Sequence, residues 1–396
     1  MIEAVQRTPA GRARGEEAAA LGDFVRRLDW ILMGAVAALL AYCLWAIDGI
    51  TRTDIGGSDL KRQATYAAGG GGVFLAGLFG DPDVFRRYKK AVYGGTLLLM
   101  GFVLVAGTAT RGSRRWIDLG FFQLQPSEFG KVLFTLFLAG YLADRARRLN
   151  DWRTLLGAVG LAVVPMLLVE RQPDLGTALV YGASLCAVLF VSGLRWRHLA
   201  IFGAVVALLA TFVLWGGPAM GVDILKPYQR DRLIGFVNPA KDPSGSTYNL
   251  TQSITSVGAG GVNGRGVRGA TQTSLNYLPE HATDFVFASL AEQRGFLGAS
   301  ILLLLYLLVV WRGLKVMAVA RDPFCAIVAG GIVFMFLFQV FVNVGMTIGI
   351  APITGIPLPF LSVGGSSMVT NFLAIGILQS IHARSRLPRR PRRSRR

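Results

Sequence analysis

PFCAIVAGGIVFMFLFQVFVNVGMTI, residues 323–348, decides the fold. It runs for 26 residues without an Asp, Glu, Lys or Arg. At about 1.5 Å of rise per residue, a helix of that length crosses the roughly 30 Å hydrocarbon layer of a bilayer.

Working outward, the same length criterion finds spans at 29–47, 64–80, 91–109, 127–142, 154–170, 174–193, 198–216, 286–311 and 366–382. The expected fold is all-α, a polytopic transmembrane helical bundle of about ten spans with one long loop, 217–285, between spans seven and eight. The second span is the weakest, because Gly69-Gly70-Gly71-Gly72 lowers helix propensity. Glycine also lets membrane helices approach closely, so the span is kept. Composition agrees: of 396 residues, 53% are apolar and only 16% charged, against about 25% in a soluble domain.

Basic residues set the expected orientation. The N-terminal arm, the even-numbered connections and the C-terminal tail together hold 26 Lys and Arg, while the short odd-numbered connections hold seven. Both termini are therefore expected in the cytoplasm, with 217–285 extracytoplasmic. The expected domains are a cytoplasmic arm, 1–28, a transmembrane domain, 29–382, and a basic tail, 383–396. The net charge of +18 comes largely from this bias and from the tail RSRLPRRPRRSRR. The tail lacks an apolar face and reads as an arm held near anionic lipid head groups, not as a nucleic-acid-binding element. Cys43, Cys186 and Cys325 lie in or beside apolar spans, so no disulfide framework is expected. No metal-ligand cluster, phosphate-binding loop or dinucleotide fingerprint is present.

Chemistry must come from polar clusters at span ends on the outward side. Arg111 to Asp118 lead into Gln125-Pro126-Ser127-Glu128-Phe129-Gly130-Lys131. Glu128 suits the positive start of a helix, but Lys131, one turn inside the span, needs a partner or a role. Three residues apart, the two share a face. Arg171 and Asp174 occupy the turn between spans five and six, where Asp174 is a plausible helix cap. In the long loop, Arg230 and Arg232 suit bidentate contacts to phosphate or carboxylate, and the glycine-dense run Gly258 to Gly269 must turn or approach something closely. Glu280 and Asp284 precede span eight, where Asp284 reads either as a helix cap or as a general base at the membrane boundary. Ser366 and Ser367, after Gly364-Gly365, open span ten with backbone N–H groups suited to an anion.

The ordered motifs RGSRRWIDLGFFQLQPSEFGK (111–131), ERQPDLGTA (170–178), NPAKDPSGSTYNLTQS (238–253), GAGGVNGRG (258–266), LPEHATDFVFA (278–288) and GMTIGIAPITGIPLPFLSVGGSS (345–367) resemble the SEDS family of RodA, FtsW and the sporulation homologues. NVGMTIGIAPITGIPLPF and GATQTSLNYLPE are most like RodA. Two positions depart from the family pattern: Ala282, where a histidine often stands, and Val363, where tyrosine is usual.

The resemblance implies a peptidoglycan glycosyltransferase of the bacterial inner membrane. Such an enzyme polymerises lipid II beside a class B penicillin-binding protein, during elongation and shape maintenance. Asp284 is implied as the essential aspartate, and Glu128 and Lys131 as the family's paired polar residues. The remaining candidates for substrate binding are Arg111, Arg115, Arg171, Asp174, Arg230, Arg232, Glu280, Ser366 and Ser367. A divalent cation such as Mg2+ suits a diphosphate substrate, but no site for one is identifiable. The rival readings are a lipid II flippase, which needs no general base, and a noncatalytic scaffold for the transpeptidase.

Overall fold

Aspartates mark the starts of the helices. In the computed structural model, which describes residues 22–52, 59–110, 113–120, 122–221, 226, 229–230, 232, 236 and 247–386, Asp29, Asp151, Asp174 and Asp322 each accept a hydrogen bond from a first-turn backbone N–H of the helix that follows. Each satisfies a donor that the helix itself leaves open.

Among the described residues, ten helices have 16 residues or more: α1 Trp30–Thr51, α2 Asp59–Phe79, α3 Lys89–Ala106, α4 Pro126–Ala143, α5 Trp152–Arg171, α6 Leu175–Val191, α7 Trp196–Thr211, α8 Val286–Ala318, α9 Pro323–Thr347 and α10 Gly365–Ser385. They fall on the ten expected spans. Six of them (α1, α3, α5, α7 with its continuation to Ala219, α8 and α9) are long and apolar enough to cross a membrane by length and composition alone. Helix α6 is equally apolar but one residue too short. The other three, α2, α4 and α10, bury polar side chains such as Gln63, Lys131 and Gln379 among their neighbours.

Small residues allow the closest packing. A Cβ on Gly70 would lie 2.3 Å from the Phe372 ring, and one on Gly376 would lie 2.4 Å from the Phe74 carbonyl oxygen, so α2 and α10 meet backbone to backbone. Gly69, Gly71 and Gly72 face open space. The glycine run therefore serves α2 through one position that touches α10, and the helix tolerates the rest.

Helix α9 is central, against α4, α6 and α8, with Gly330 seated on Val191 and Gly331 on Thr135. Helix α7 is peripheral, with no buried residue, and runs through a π turn, Phe212–Gly216, to Ala219.

Hydrogen bonds identify the two ends of the bundle. At one end, Arg312 of α8 forks onto the buried Asp29 carboxylate at 2.6 and 3.1 Å, and Gln379 of α10 exchanges hydrogen bonds with the Asp29 backbone. The start of α1 and the ends of α8 and α10 are thus tied together. At the opposite end, Gln293 of α8 donates to the Gly49 carbonyl at 3.1 Å.

On that second end lies a small antiparallel sheet, β1 Thr108–Thr110, β2 Ser113–Asp118 and β3 Gln123–Leu124, in the order β1-β2-β3. The loop helix Tyr248–Gly260 packs on α8 and α9. The glycine-dense run makes the close approach its composition implies. A Cβ on Gly260 would sit 2.0 Å from the Ala291 carbonyl oxygen, and one on Gly264 would sit 2.3 Å from that of Gln293. Helix α8 answers with a kink at Gly295, whose φ of 66° suits glycine. Glu292, fully buried on α8, accepts from Gln272 N, Thr273 N and Thr273 Oγ1, which pins the end of the same loop.

Candidate functional site

Most of the described candidate residues lie at the end carrying the sheet and the loop helix, joined by a chain of contacts. Strand β2 presents Arg115, whose Nη1 lies 3.6 Å from Asp174 Oδ2. Asp174 is the cap of α6, one of its two sequence readings, accepting from Thr177 N and Thr177 Oγ1, and it also accepts from Gln125 Nε2 at 3.1 Å. Gln125 N in turn donates to Ser366 Oγ, which donates to the Gln123 carbonyl. The Ser366 hydroxyl is therefore committed to holding α10 against the start of α4. Ser367 is buried beside it.

From α6 the chain continues to the segment between α9 and α10. Gly176 passes so near the Thr354 carbonyl that a Cβ would lie 2.5 Å from that oxygen. Arg232 Nη1 donates to the same oxygen at 3.5 Å. The next residue, Gly355, has φ +72° and passes the Asp284 carboxylate, with Oδ2 3.4 Å from its ideal Cβ position.

Asp284 is not a helix cap. The cap of α8 is Phe285, which makes no side-chain cap hydrogen bond. Asp284 is half-buried, in a turn whose carbonyls are taken one after another by the chain around α9 and α10. Ala282 O accepts from Val363 N at 3.0 Å, Thr283 O from Ser362 Oγ at 2.6 Å, and Asp284 O from Asn343 Nδ2 at 3.0 Å. Gln63 of α2 steadies the far side of that loop, donating to the Phe360 and Ser362 carbonyls. Around the turn, Leu278, Phe285 and Ala288 form an apolar cluster with Val257 and Ile353. Glu280, at a φ of 56°, accepts from Thr283 Oγ1 at 2.8 Å and shapes the turn from within.

Glu128 and Lys131 are both buried and pair at 2.8 Å, with Lys131 Nζ also 3.2 Å from Gln339 Oε1 of α9. Gln339 lies one turn before Asn343, so a single face of α9 meets the buried ion pair and then the backbone of Asp284. Arg171 is exposed on the last turn of α5, next to Glu170, which pairs with Lys226 at 2.9 Å. Arg230 is exposed at the start of the loop. Arg111 lies outside the described residues.

Sequence reasoning missed Gln63, Gln125, Gln339 and Asn343. Gln339 and Asn343 interrupt the apolar run of α9, and a polar side chain within a span is itself a signal. Among the described residues, no group of three or more His, Cys, Asp or Glu is placed to hold a metal ion. The grooves between α6 and α9, about 570 Å³, and between α8 and α9, about 250 Å³, are lined almost wholly by apolar side chains and hold none of the candidate site residues.

Fold and site together define a polytopic membrane protein whose polar machinery is gathered at one end of a helical bundle, beside a long loop. The profile of the FtsW, RodA and SpoVE family, described as "Cell cycle protein", matches residues 25–387, and the chain belongs to that family. It is 36% identical over 360 residues to the peptidoglycan glycosyltransferase MrdB of Escherichia coli K12, covering 91% of this chain and 95% of that protein. A chain in a structure titled "Structural coordination of polymerization and crosslinking by a peptidoglycan synthase complex" superposes with a TM-score of 0.78 at 31% identity, covering 91% of this chain and 99% of that one. The rod-shape-determining protein RodA of Thermus thermophilus gives a TM-score of 0.67 at 28% identity, with 91% and 98% covered.

Proposed function

We propose that this chain is a peptidoglycan glycosyltransferase that polymerises lipid II during cell-wall elongation, with Asp284 as its general base. The observation that carries the reading is the placement of Asp284. It is a half-buried carboxylate at the polar end of the bundle, not used to start a helix, with its backbone clamped by the chain around α9 and α10. Such clamping fixes a reacting group before substrate arrives.

In the proposed step, a sugar hydroxyl of the acceptor attacks the anomeric carbon of the donor and forms the new C–O bond. Its proton passes to Asp284. The bond to the undecaprenyl diphosphate breaks with its electron pair, so the diphosphate leaves as an anion and the α-linked donor becomes a β-glycosidic bond. Arg115, Arg171, Arg230 and Arg232 supply cationic charge at the same end, and they offset what develops on the leaving group. One base is enough because a diphosphate leaves far more readily than an alcohol.

The membrane is the bacterial cytoplasmic membrane, with both termini inside and Asp284 facing outward. The similarity to a peptidoglycan synthase complex supports a class B penicillin-binding protein as partner.

The test incubates purified protein, alone and with its cognate penicillin-binding protein, with labelled lipid II and a transpeptidase inhibitor. Wild type is expected to yield uncrosslinked glycan. Asp284→Ala is expected to lose roughly 10²–10⁴-fold in rate, the usual contribution of a positioned base. Polymer made equally well by Asp284→Ala removes the base. No polymer from wild type under either condition, with lipid II still crossing reconstituted bilayers, replaces the reading with a flippase.

A further inference from the structure

Asn343 is fully buried four residues before the end of α9, a strongly apolar helix, where an amide side chain is costly to place. Its Nδ2 donates twice, to the Asp284 carbonyl at 3.0 Å and to the Ile356 carbonyl at 2.8 Å. Its Oδ1 is buried with no hydrogen-bond partner among the described residues. What Asn343 contributes is the geometry that its two donated hydrogen bonds impose.

That geometry is specific. One nitrogen holds together the two segments that flank the Asp284 carboxylate. Asp284 itself is on one side, and the Thr354-Gly355-Ile356 run is on the other, with Gly355 against Oδ2 and Thr354 receiving Arg232.

We propose that Asn343 is a positioning residue for the glycosyl transfer. It sets the distance between the Asp284 carboxylate and the 354–356 segment that receives Arg232, and so aligns the base with the acceptor hydroxyl. The proposal rests on the reading of Asp284 as general base. It does not require Asn343 to touch substrate. A misplacement of about 1 Å in a reacting group costs on the order of 10²-fold in rate.

Wild type, Asn343→Leu, Asn343→Gln and Asp284→Ala are compared on labelled lipid II across a pH series. Rates are normalised to folded protein by size-exclusion profile and thermal melting. Asn343→Leu is expected to lower kcat per folded molecule by roughly 10–100-fold, with KM for lipid II changed less than about threefold. The acid limb of the pH profile should be displaced, because the base sits in altered surroundings. Asn343→Gln retains the amide one methylene further out and is expected to recover part of the loss.

A normal kcat per folded molecule, an unmoved acid limb, or a deficit explained wholly by lost folded protein overturns the proposal. If the leucine variant does not fold, the glutamine variant alone is read by the same two criteria, kcat and acid limb. Polymerisation retained by Asp284→Ala overturns the base and this inference together. An inactive Asp284→Ala beside a normal Asn343→Leu overturns the inference alone.

Discussion

Lys131 and Glu128 pose the sharpest question at the scale of single residues. Both charges are buried and close, and Gln339 takes a further hydrogen bond from the ammonium. A buried pair gains little over an apolar replacement, yet removing one partner strands the other at a cost of about 3–5 kcal/mol. Lys131→Met and Glu128→Gln should therefore each lower the melting temperature of the solubilised protein, and the double variant should recover most of the loss. Polymerisation should remain low in the double variant, because the polar face of α9 then loses a contact at Gln339, one turn from Asn343. A double variant restored in both stability and rate reduces the pair to a structural tie. Of the site residues, Asp284 was legible as one of two alternatives, cap or base. The structure excludes the cap, because α8 begins at Val286 after an uncapped Phe285.

At the scale of elements, the docking of the 258–269 loop on α8 depends on glycine at positions where the sequence shows only a run of them. Gly295 combines a φ of 66° with a Cβ position 2.3 Å from Gly264 N, so Gly295→Ala must both strain the kink and push the loop away. Gly258 lies in the loop helix with open space at its Cβ position. Gly258→Ala is expected to leave stability unchanged or raise it by up to ~1 kcal/mol through helix propensity. Gly295→Ala should lower the melting temperature and speed proteolysis between 247 and 285. Equal behaviour of the two variants would remove the close approach as the reason for the glycines. The run 111–118 was read as a polar cluster carrying Arg111 and Arg115 as candidate substrate-binding residues; its described part, Ser113–Asp118, folds as β2 because its backbone pairs with Thr108–Thr110 and then with Gln123–Leu124.

At the scale of the whole molecule, the two ends of the bundle differ in kind. One holds the Asp29–Arg312–Gln379 tie, and the other holds the sheet, the loop helix and Asp284. The basic-residue bias assigns the first end to the cytoplasm. Alkaline phosphatase fused at the C-terminus should then be inactive, and the same enzyme fused within 237–246 should be active. The reverse pattern would put Asp284 on the inner face and remove an extracytoplasmic polymerase from consideration.

The sequence by itself determined the ten helices, because a bilayer demands about 20 apolar residues per crossing and internal satisfaction of every backbone group. It also placed the polar clusters at helix ends, and left Asp174 open between a helix cap and a substrate-binding residue. Only the tertiary structure decided which helix faces meet. In lipid, the outside of a span is as apolar as its packed side, so periodicity carries little information about direction. Gly70 alone of its run against Phe372, Ser366 bonded to Gln123 and Gln125, Lys131 on Gln339, and Asn343 between Asp284 and Ile356 all join residues far apart in the chain. Those pairings follow from the packing of α9 and α10 against the rest of the bundle, which no local pattern encodes.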